Sequence, residues 1–446
     1  MSTGRLVLAA LLGALPLPLL AQGTEPQRCV LQFEASEARS SLNKLPSGKY
    51  NAYQGGGVTY SCVGQNNRLK ADSAEFYGDL DILYLIGNVH YTEPRVKVDS
   101  RRMTYWKNEE RLLAEGDVVA TLPSGTMLRG PRAEYYRAIP NLRPQTRLIA
   151  TGRPLITLIQ VDSAGRKQPP VDLRADRVTM DADSLVYAGG QVDIMRPDLH
   201  ATGDSAFMDS GHEIARLMRG PVIEGKADRP FTLTGITVEI YSRARQVERV
   251  ISLGNARAVS QDLDLRADTL DLRVRENKLE RAYAWGPTGA RAVSPTQVIS
   301  ADSLDVRLPG QRVRQVFAVR NAWAQSDPDS TKIRSRERDW LRGDTIVASF
   351  DSTAASDTTH QPALTGLVAH GNARSFYQVA VSGAPIDRPA INYVRGKAIT
   401  VAFASRQVQR VTVTEKATGV YVEPDVGKQR GTPTGSDSTV VPSRQP

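Results

Sequence analysis

A unit of two short strands recurs about ten times between Leu69 and Val420, and such a rhythm decides the architecture before any local assignment does. Each first half opens with an apolar residue, then Ala or Gly, then usually Asp. A polar turn follows, and the returning strand closes on Gly-x-Val or Gly-Asn-Ala. First halves occur at 69–72, 171–176, 199–204, 265–268, 298–302 and 341–344, and second halves close at 87–89, 116–118, 220–222, 254–256 and 371–373. The series predicts stacked antiparallel hairpins.

Period-two alternation within these units predicts strands with one dry and one wet face. Val96 and Val98, for example, alternate with Arg95, Lys97 and Asp99. The Gly of the second half suits a bulge or a tight bend, and the Asp of the first half is expected to accept bonds from nearby backbone N–H groups. Repeated in every unit, these devices predict a curved, strongly twisted all-β sheet.

The composition limits the classes of ligand. Apolar residues make up 40% of the chain, charged residues 24% and aromatic residues 6%, which is typical of a soluble β-rich protein. The net charge of +9 allows an anionic ligand such as a phosphorylated lipid or a nucleic acid. Arginine is spread along the chain rather than gathered into a basic block, which disfavours nucleic-acid binding and favours a solvated basic surface.

The N-terminus has the features of a secretory signal peptide over residues 1–21. Arg5 supplies the positive charge, a short apolar stretch covers 6–20, and Ala21 precedes the expected cleavage point. No later stretch approaches the length of apolar sequence that a membrane helix needs, so no transmembrane helix is predicted. These features predict export to the periplasm, with possible association with the outer membrane.

The two cysteines, Cys29 and Cys62, both lie near the start of the expected mature chain. In the oxidising compartment to which an exported protein goes, two cysteines are enough for one disulfide bridge, so a Cys29–Cys62 disulfide is predicted. The alternative is a pair of buried free thiols. The expected organisation is a signal peptide over 1–21, an N-terminal segment with the disulfide over 22–68, a first repeat module over 69–160, further repeats over 171–425 and a disordered tail over 426–446.

The ordered motifs between 69 and 157 resemble the OstA-like domain of LptA-type periplasmic lipopolysaccharide-transport proteins. The resemblance lies in the runs KADSAEFY at 70–77, LIGNV at 85–89, LLAEGDV at 112–118 and LRGPRAEYY at 128–136, and a looser version continues to about Val420. It implies an extended antiparallel β-jelly-roll with an open groove, whose apolar inner face holds acyl chains. This chain departs from the family in its length and in its N-terminal cysteine segment.

The resemblance also implies a function without covalent chemistry. The expected cargo is lipopolysaccharide or another multi-acyl lipid, carried toward the outer membrane, with basic rim residues meeting phosphates. The expected partners are other lipopolysaccharide-transport proteins joined by edge-strand pairing, a second copy joined end to end, and no nucleic acid. The candidate groove residues are Ile86, Val89, Val98, Met103, Val118, Leu173, Val178 and Met180.

Catalysis, metals and cofactors find little support in the sequence. The five histidines are dispersed without metal-ligand spacing, and pairs such as Asp79 and Asp81 lack the Gly-rich nonapeptide of calcium-binding β-rolls. The expectation is a protein that is not an enzyme and that has no cofactor or metal. Two alternatives stay open: a secreted β-solenoid that binds or cleaves acidic polysaccharide, and a β repeat whose core is filled by its own side chains.

Overall fold

The computed structural model describes the chain as a 28-stranded antiparallel sheet. The described residues are 29–36, 40–139, 141–159, 169–182, 184–197, 199–226, 230–244, 246–261, 263–276, 278–351, 363–382, 384–404 and 407–424. The signal peptide predicted over 1–21 and the tail predicted over 426–446 lie outside these residues. The prediction of an all-β extended fold is confirmed.

The strands of the N-terminal half are β1 Leu31–Ser36, β2 Ser40–Lys44, β3 Tyr50–Cys62, β4 Arg68–Tyr77, β5 Ile82–Glu93, β6 Val96–Trp106, β7 Arg111–Thr121, β8 Met127–Tyr136, β9 Arg147–Thr151, β10 Leu155–Leu158, β11 Val171–Arg174, β12 Arg177–Asp181 and β13 Leu185–Arg196. Each long strand pairs antiparallel with the next in the chain, as in hairpins. We call one crossing of the sheet by the chain a pass. β9 and β10 together form one pass that is interrupted at its middle, and β11 and β12 together form another.

The strands of the C-terminal half are β14 Leu199–Asp209, β15 Ile214–Met218, β16 Val222–Gly225, β17 Phe231–Thr234, β18 Thr237–Arg243, β19 Gln246–Ser260, β20 Asp264–Arg275, β21 Lys278–Val293, β22 Gln297–Arg307, β23 Gln315–Ser326, β24 Asp339–Asp351, β25 Ala363–Val379, β26 Ala390–Ala404, β27 Gln407–Thr414 and β28 Thr418–Val422. A single 3₁₀ turn, Pro309–Gln311, lies between β22 and β23 among the described residues. The same antiparallel pairing continues here.

Every pass bends near its middle, so the sheet is folded into two arms. In β5 the ladder with β6 shifts register between Ile86 and Val89. We call the strand halves on the Ile86 side the first arm and those on the Val89 side the second arm. Turns such as 78–81 and 107–110 end the first arm and form the first rim, whereas turns such as 63–67 and 94–95 end the second arm and form the second rim.

The bend explains the repeated Asp and Gly. Gly87 and Asn88 both have positive φ, 79° and 41°, a conformation that Gly adopts freely and that Asn tolerates better than most residues. A Cβ on Gly87 would collide with the Asp72 carboxylate of the preceding strand. Asn88 Nδ2 donates to Asp72 Oδ2 at 2.9 Å. The donor that the structure gives Asp72 is thus a side chain on the next strand, not the backbone N–H group expected from the sequence.

The interior between the arms contains two clusters of buried apolar side chains. The first cluster extends from Cys29 to Val192, and the second from Ala201 to Val401. Ile194 and Ala206 pack against both clusters and join them. Inner side chains of both arms contribute to each cluster, and these two residues make the interior one long apolar layer.

The sheet crosses both of the boundaries expected from the sequence. Strands within 29–62 pair with β3 and β4, so the N-terminal segment forms the first passes of the sheet rather than a separate unit. Leu158 pairs with Val171, so the ladder continues from one side of 160–168 to the other. The core divides later, between β13 and β14, because most inner positions of β14 are only partly buried.

Candidate functional site

Seven of the eight candidate groove residues lie inside the first cluster. Val89 is fully buried, and the others are at most 7% exposed. They come from β5, β6, β7, β11 and β12, and both arms contribute. The residues that the structure brings together are Val89, Val98, Met103, Val118, Leu173, Val178 and Met180.

Ile86 is the exception and does not face inward. It lies on the outer surface of the sheet, 40% exposed, opposite Ser73 and Arg102. The preceding Leu85 is fully buried, and period-two alternation then turns the next side chain outward. The prediction that Ile86 faces inward was wrong, because it rested on the hydrophobicity of the residue. The position of Ile86 directly after the inward-facing Leu85 turns its side chain outward.

The interior is closely packed in this structure. Two small gaps lie between the rims, of about 20 Å³ and 10 Å³, room for about one water molecule each. The larger gap contacts Arg95 and Leu122 at the second rim and Thr146 and Ala182 at the first rim. The interior therefore presents a packed apolar seam between the rims, and an acyl chain would fit only if the arms separate there.

A buried polar cluster closes the seam in the N-terminal half. The Arg137 guanidinium at the first rim donates to Glu110 at 2.7 Å, to Glu93 at 3.3 Å and to Gln65 at 2.6 Å. Glu93 and Gln65 lie at the second rim. The Arg137 side chain is only 15% exposed, and that of Glu110 is 1% exposed. We call Arg137, Glu93, Glu110 and Gln65 the clasp, because these side chains join the two rims directly.

Buried tyrosines complete the hydrogen bonding of the clasp. Tyr105 donates to Glu110 at 3.0 Å, Tyr91 donates to Glu93 at 2.7 Å, and Tyr135 also donates to Glu93. Burial raises the pKa of all three phenols, so they stay protonated donors. These bonds satisfy the buried carboxylates of Glu93 and Glu110 only in this one arrangement. Loss of the Arg137 cation would leave both carboxylates buried without compensation.

Cys29 and Cys62 form a disulfide in the structure, with their Cα atoms 5.0 Å apart. Both residues are buried in the first cluster. The backbone N–H of Cys29 donates to Glu110 Oε1 at 2.5 Å, so the bridge at the second rim is tied to the first rim as well. The disulfide and the clasp therefore act on the same part of the seam.

The seam of the C-terminal half contains a smaller polar group that the sequence did not reveal. Asp339 Oδ1 accepts from the backbone N–H of Gln378 at 2.9 Å and from its Nε2 at 3.3 Å. Burial raises the pKa of the Asp339 carboxyl to about 6, although the bonds from Gln378 oppose the shift. The nearby Tyr377 hydroxyl and Ser375 hydroxyl are buried without a hydrogen-bond partner in the described part of the chain.

The histidines have local roles in the structure. His90 contacts Asp99 at 2.6 Å, and His212 contacts Asp209 at 2.7 Å, each on the exposed surface. His360 lies outside the described residues. Across the ranges that the structure describes, no group of three His, Cys, Asp or Glu side chains is placed to hold a metal ion.

The fold and the seam define an extended all-β protein with a folded antiparallel sheet around an apolar interior. No helix in the described part of the chain is long and apolar enough to cross a membrane. No protein-family model matches this chain, and no curated protein matches it.

One solved structure with similarity to part of the chain is that of LptH, the LptA homologous periplasmic component of the lipopolysaccharide transport device from Pseudomonas aeruginosa. The match covers 28% of this chain and 94% of that chain, at 16% identity and a TM-score of 0.24. A likeness at that score carries no argument about function. The family resemblance therefore stays a prediction from the sequence motifs.

Proposed function

We propose that this chain is a non-catalytic carrier of a multi-acyl lipid, with lipopolysaccharide as the expected cargo. It would act in the periplasm and hold the acyl chains between the two arms while the lipid moves toward the outer membrane. The proposal rests on the sequence motifs of the LptA type and on the apolar interior described above.

The observation that carries this proposal is the continuous aliphatic interior. Its inner positions are mostly Leu, Val, Ile and Ala, and it extends through both clusters with Ile194 and Ala206 between them. Burial of apolar surface is favourable and non-directional, so such a layer suits flexible acyl chains better than a rigid polar ligand. Arg95 beside the gap at the rims is placed to meet a phosphate of the head group.

Native mass spectrometry of the chain purified from a lipopolysaccharide-producing host tests the proposal. The expected result is a mass increment equal to lipopolysaccharide or another multi-acyl lipid. A protein mass without lipid, unchanged after lipid is added, would contradict carriage and favour the alternatives of polysaccharide binding or a self-filled core.

A photo-crosslinking pair places the lipid within the fold. A benzophenone amino acid at Met103, which is 2% exposed in the interior, should crosslink to bound lipopolysaccharide. The same group at Ile86, on the outer surface of the neighbouring strand, should not. Circular dichroism of both variants shows whether the β-structure is intact. Equal crosslinking from both positions would contradict the interior as the binding site.

Joining to partners would use the outermost strands. At one end of the sheet β2 is exposed at every residue, and at the other end β28 is exposed at every residue. Unpaired strand edges recruit further strands by backbone hydrogen bonding. We propose that a like domain or a second copy adds here. If wild type associates, Val420→Pro in β28 should weaken that association, as measured by light scattering. A variant with the same mass distribution as wild type would contradict the use of this edge.

A further inference from the structure

The outer surface of the second arm carries a row of arginines in the C-terminal half. Each residue of the row lies directly opposite the next on the neighbouring strand. From β17 to β28 the row reads Thr234, Arg257, Arg266, Arg291, Ser300, Trp323, Arg342, Arg374, Arg395 and Thr418. Neighbouring strands lie about 4.8 Å apart, so the distance from Arg257 to Arg395 is roughly 30–35 Å. We call this set the arginine row.

A second row of opposed arginines lies on the first arm of the same strands, and there the charges are neutralised. Its members are Arg249, Arg273, Arg281 and Arg307. Asp271 binds the first two at 2.8 and 3.0 Å, and Asp305 binds the other two at 2.7 and 3.7 Å. The fold therefore supplies a carboxylate for each of the opposed arginines on the first arm.

Most of the arginine row lacks such carboxylates. Asp264 binds Arg257 at 2.8 Å and Arg266 at 2.6 Å, at the beginning of the row. The four exposed arginines beyond it form no ion pair with any residue that the structure describes: Arg291, Arg342, Arg374 and Arg395. Arg342, Arg374 and Arg395 lie opposite one another on consecutive strands. Like charges opposed in this way destabilise a sheet, so an anion on this surface would be bound favourably.

Arg342 is already held in place for an anion. Its guanidinium lies 4.1 Å from the ring centre of Trp323 and 5.4 Å from that of Trp340. Trp340 in turn stacks on Phe376 with an angle of 15° between the rings. Cation–π contacts restrain the arginine and leave its N–H groups available for a ligand. They also cover the ring faces on which nucleic-acid bases would stack.

We propose that the arginine row binds an acidic polysaccharide, a chain of sugars with carboxylate or phosphate groups. Toward the second rim the row is one residue wide, because the next row there contains a single charged residue, Asp264, and the polar Gln325 among apolar and aromatic side chains. A line of charge fits a chain molecule rather than the plane of a membrane. A sugar ring has about the length of the strand spacing, so successive acidic sugars can meet successive strands. This inference does not depend on lipid carriage in the interior.

Isothermal titration calorimetry of the full chain with an oligomer of galacturonic acid, long enough to span the row, tests the proposal. Wild type should bind the oligomer, with an affinity that falls as sodium chloride is added, and should not bind a neutral maltose oligomer of equal length. The variant R291Q/R374Q removes two exposed arginines that have no ion pair. Its affinity should fall by about tenfold, since two exposed charge contacts are lost.

The matched control is R273Q/R307Q on the first arm. It changes the net charge equally and leaves Asp271 paired with Arg249 and Asp305 paired with Arg281. It should bind the acidic oligomer as wild type does. Equal losses in both variants, or no binding by wild type, would overturn the proposal. Oligothymidylate or anionic phospholipid vesicles that bind as tightly as the acidic sugar, with the same loss in R291Q/R374Q, would overturn the assignment to polysaccharide.

Discussion

The two halves of the molecule share one sheet but close their seams differently. In the N-terminal half the rims are joined by the Arg137 clasp, by a hydrogen bond from Tyr135 to the clasp, and by one from the backbone N–H of the disulfide-bonded Cys29 to the clasp. In the C-terminal half the described seam has Asp339 bound to Gln378, and the Tyr377 hydroxyl is left without a partner. A strand repeat can thus be uniform in backbone while its two halves differ in how firmly the arms are held together.

The difference has a consequence for the proposed carriage. Separating the arms in the N-terminal half would expose a buried charge cluster. In the described part of the C-terminal seam, separation would release a carboxyl that protonation can neutralise and mainly apolar contacts. We therefore expect lipid to enter from the C-terminal half.

Removing the centre of the clasp should have the largest effect. Arg137→Ala leaves Glu93 and Glu110 buried without their cation, which should lower the free energy of unfolding by about 3–5 kcal/mol. Urea denaturation followed by circular dichroism measures this. Arg68→Ala removes an ion pair to Glu34 in the same half, 56% exposed on the arginine side, and should change stability by less than about 1 kcal/mol. Equal effects of both variants would contradict a clasp.

The disulfide should contribute almost as much. It closes a loop with a sequence separation of 33, and Cys29→Ser with Cys62→Ser should lower the free energy of unfolding by about 2–4 kcal/mol. The loss should be confined to the N-terminal half, so hydrogen exchange should increase in β1 to β8 and stay the same in β19 to β26. Uniform acceleration along the chain would show that the two halves unfold as one unit.

Asp339 gives the C-terminal seam a pH dependence. Its pKa of about 6 lies above the ordinary value of 3.8, so the folded state binds the proton more tightly than the unfolded chain. The stability that the protonated carboxyl contributes is therefore present below about pH 4 and is lost as the pH rises through about 6. Asp339→Asn keeps the acceptor oxygen for Gln378 and cannot ionise.

Asp339→Asn should therefore exceed wild type in free energy of unfolding by about 2–3 kcal/mol near neutral pH and match it near pH 4. Thermal denaturation over a pH series measures the difference. A difference in free energy of unfolding between the two proteins that does not change with pH would mean that Asp339 does not titrate in this range.

The bends should behave alike in both halves. Gly87→Ala and Gly371→Ala would each push a methyl group into the Asp of the preceding strand, Asp72 or Asp344, at positive φ. Each should cost about 2 kcal/mol, the strain of a left-handed residue plus the collision. Gly48→Ala, at φ +84° in open space, has the strain alone and should cost about 1 kcal/mol. A much smaller effect at Gly371 than at Gly87 would show that the bends differ as well.

The hairpins, the bends and most of the interior could be predicted from the amino-acid sequence alone. Alternation at positions such as Val96 and Val98 can be read directly, because a strand places successive side chains on opposite faces whatever its neighbours are. The same rule, applied to Leu85, would have placed Ile86 outside. The count of two cysteines in a chain expected to be exported likewise predicted the Cys29–Cys62 disulfide.

Which distant residues meet could not be predicted in this way, because it depends on how the whole sheet folds. Arg137 and Gln65 are 72 residues apart, and nothing local marks them as partners across the rims. The arginines appear dispersed along the chain, yet the register of consecutive strands aligns those at 257, 266, 291, 342, 374 and 395 in one line. The physical reason is that alternation fixes the face of a side chain, whereas its neighbours depend on register and folding of the arms, which are properties of the whole sheet.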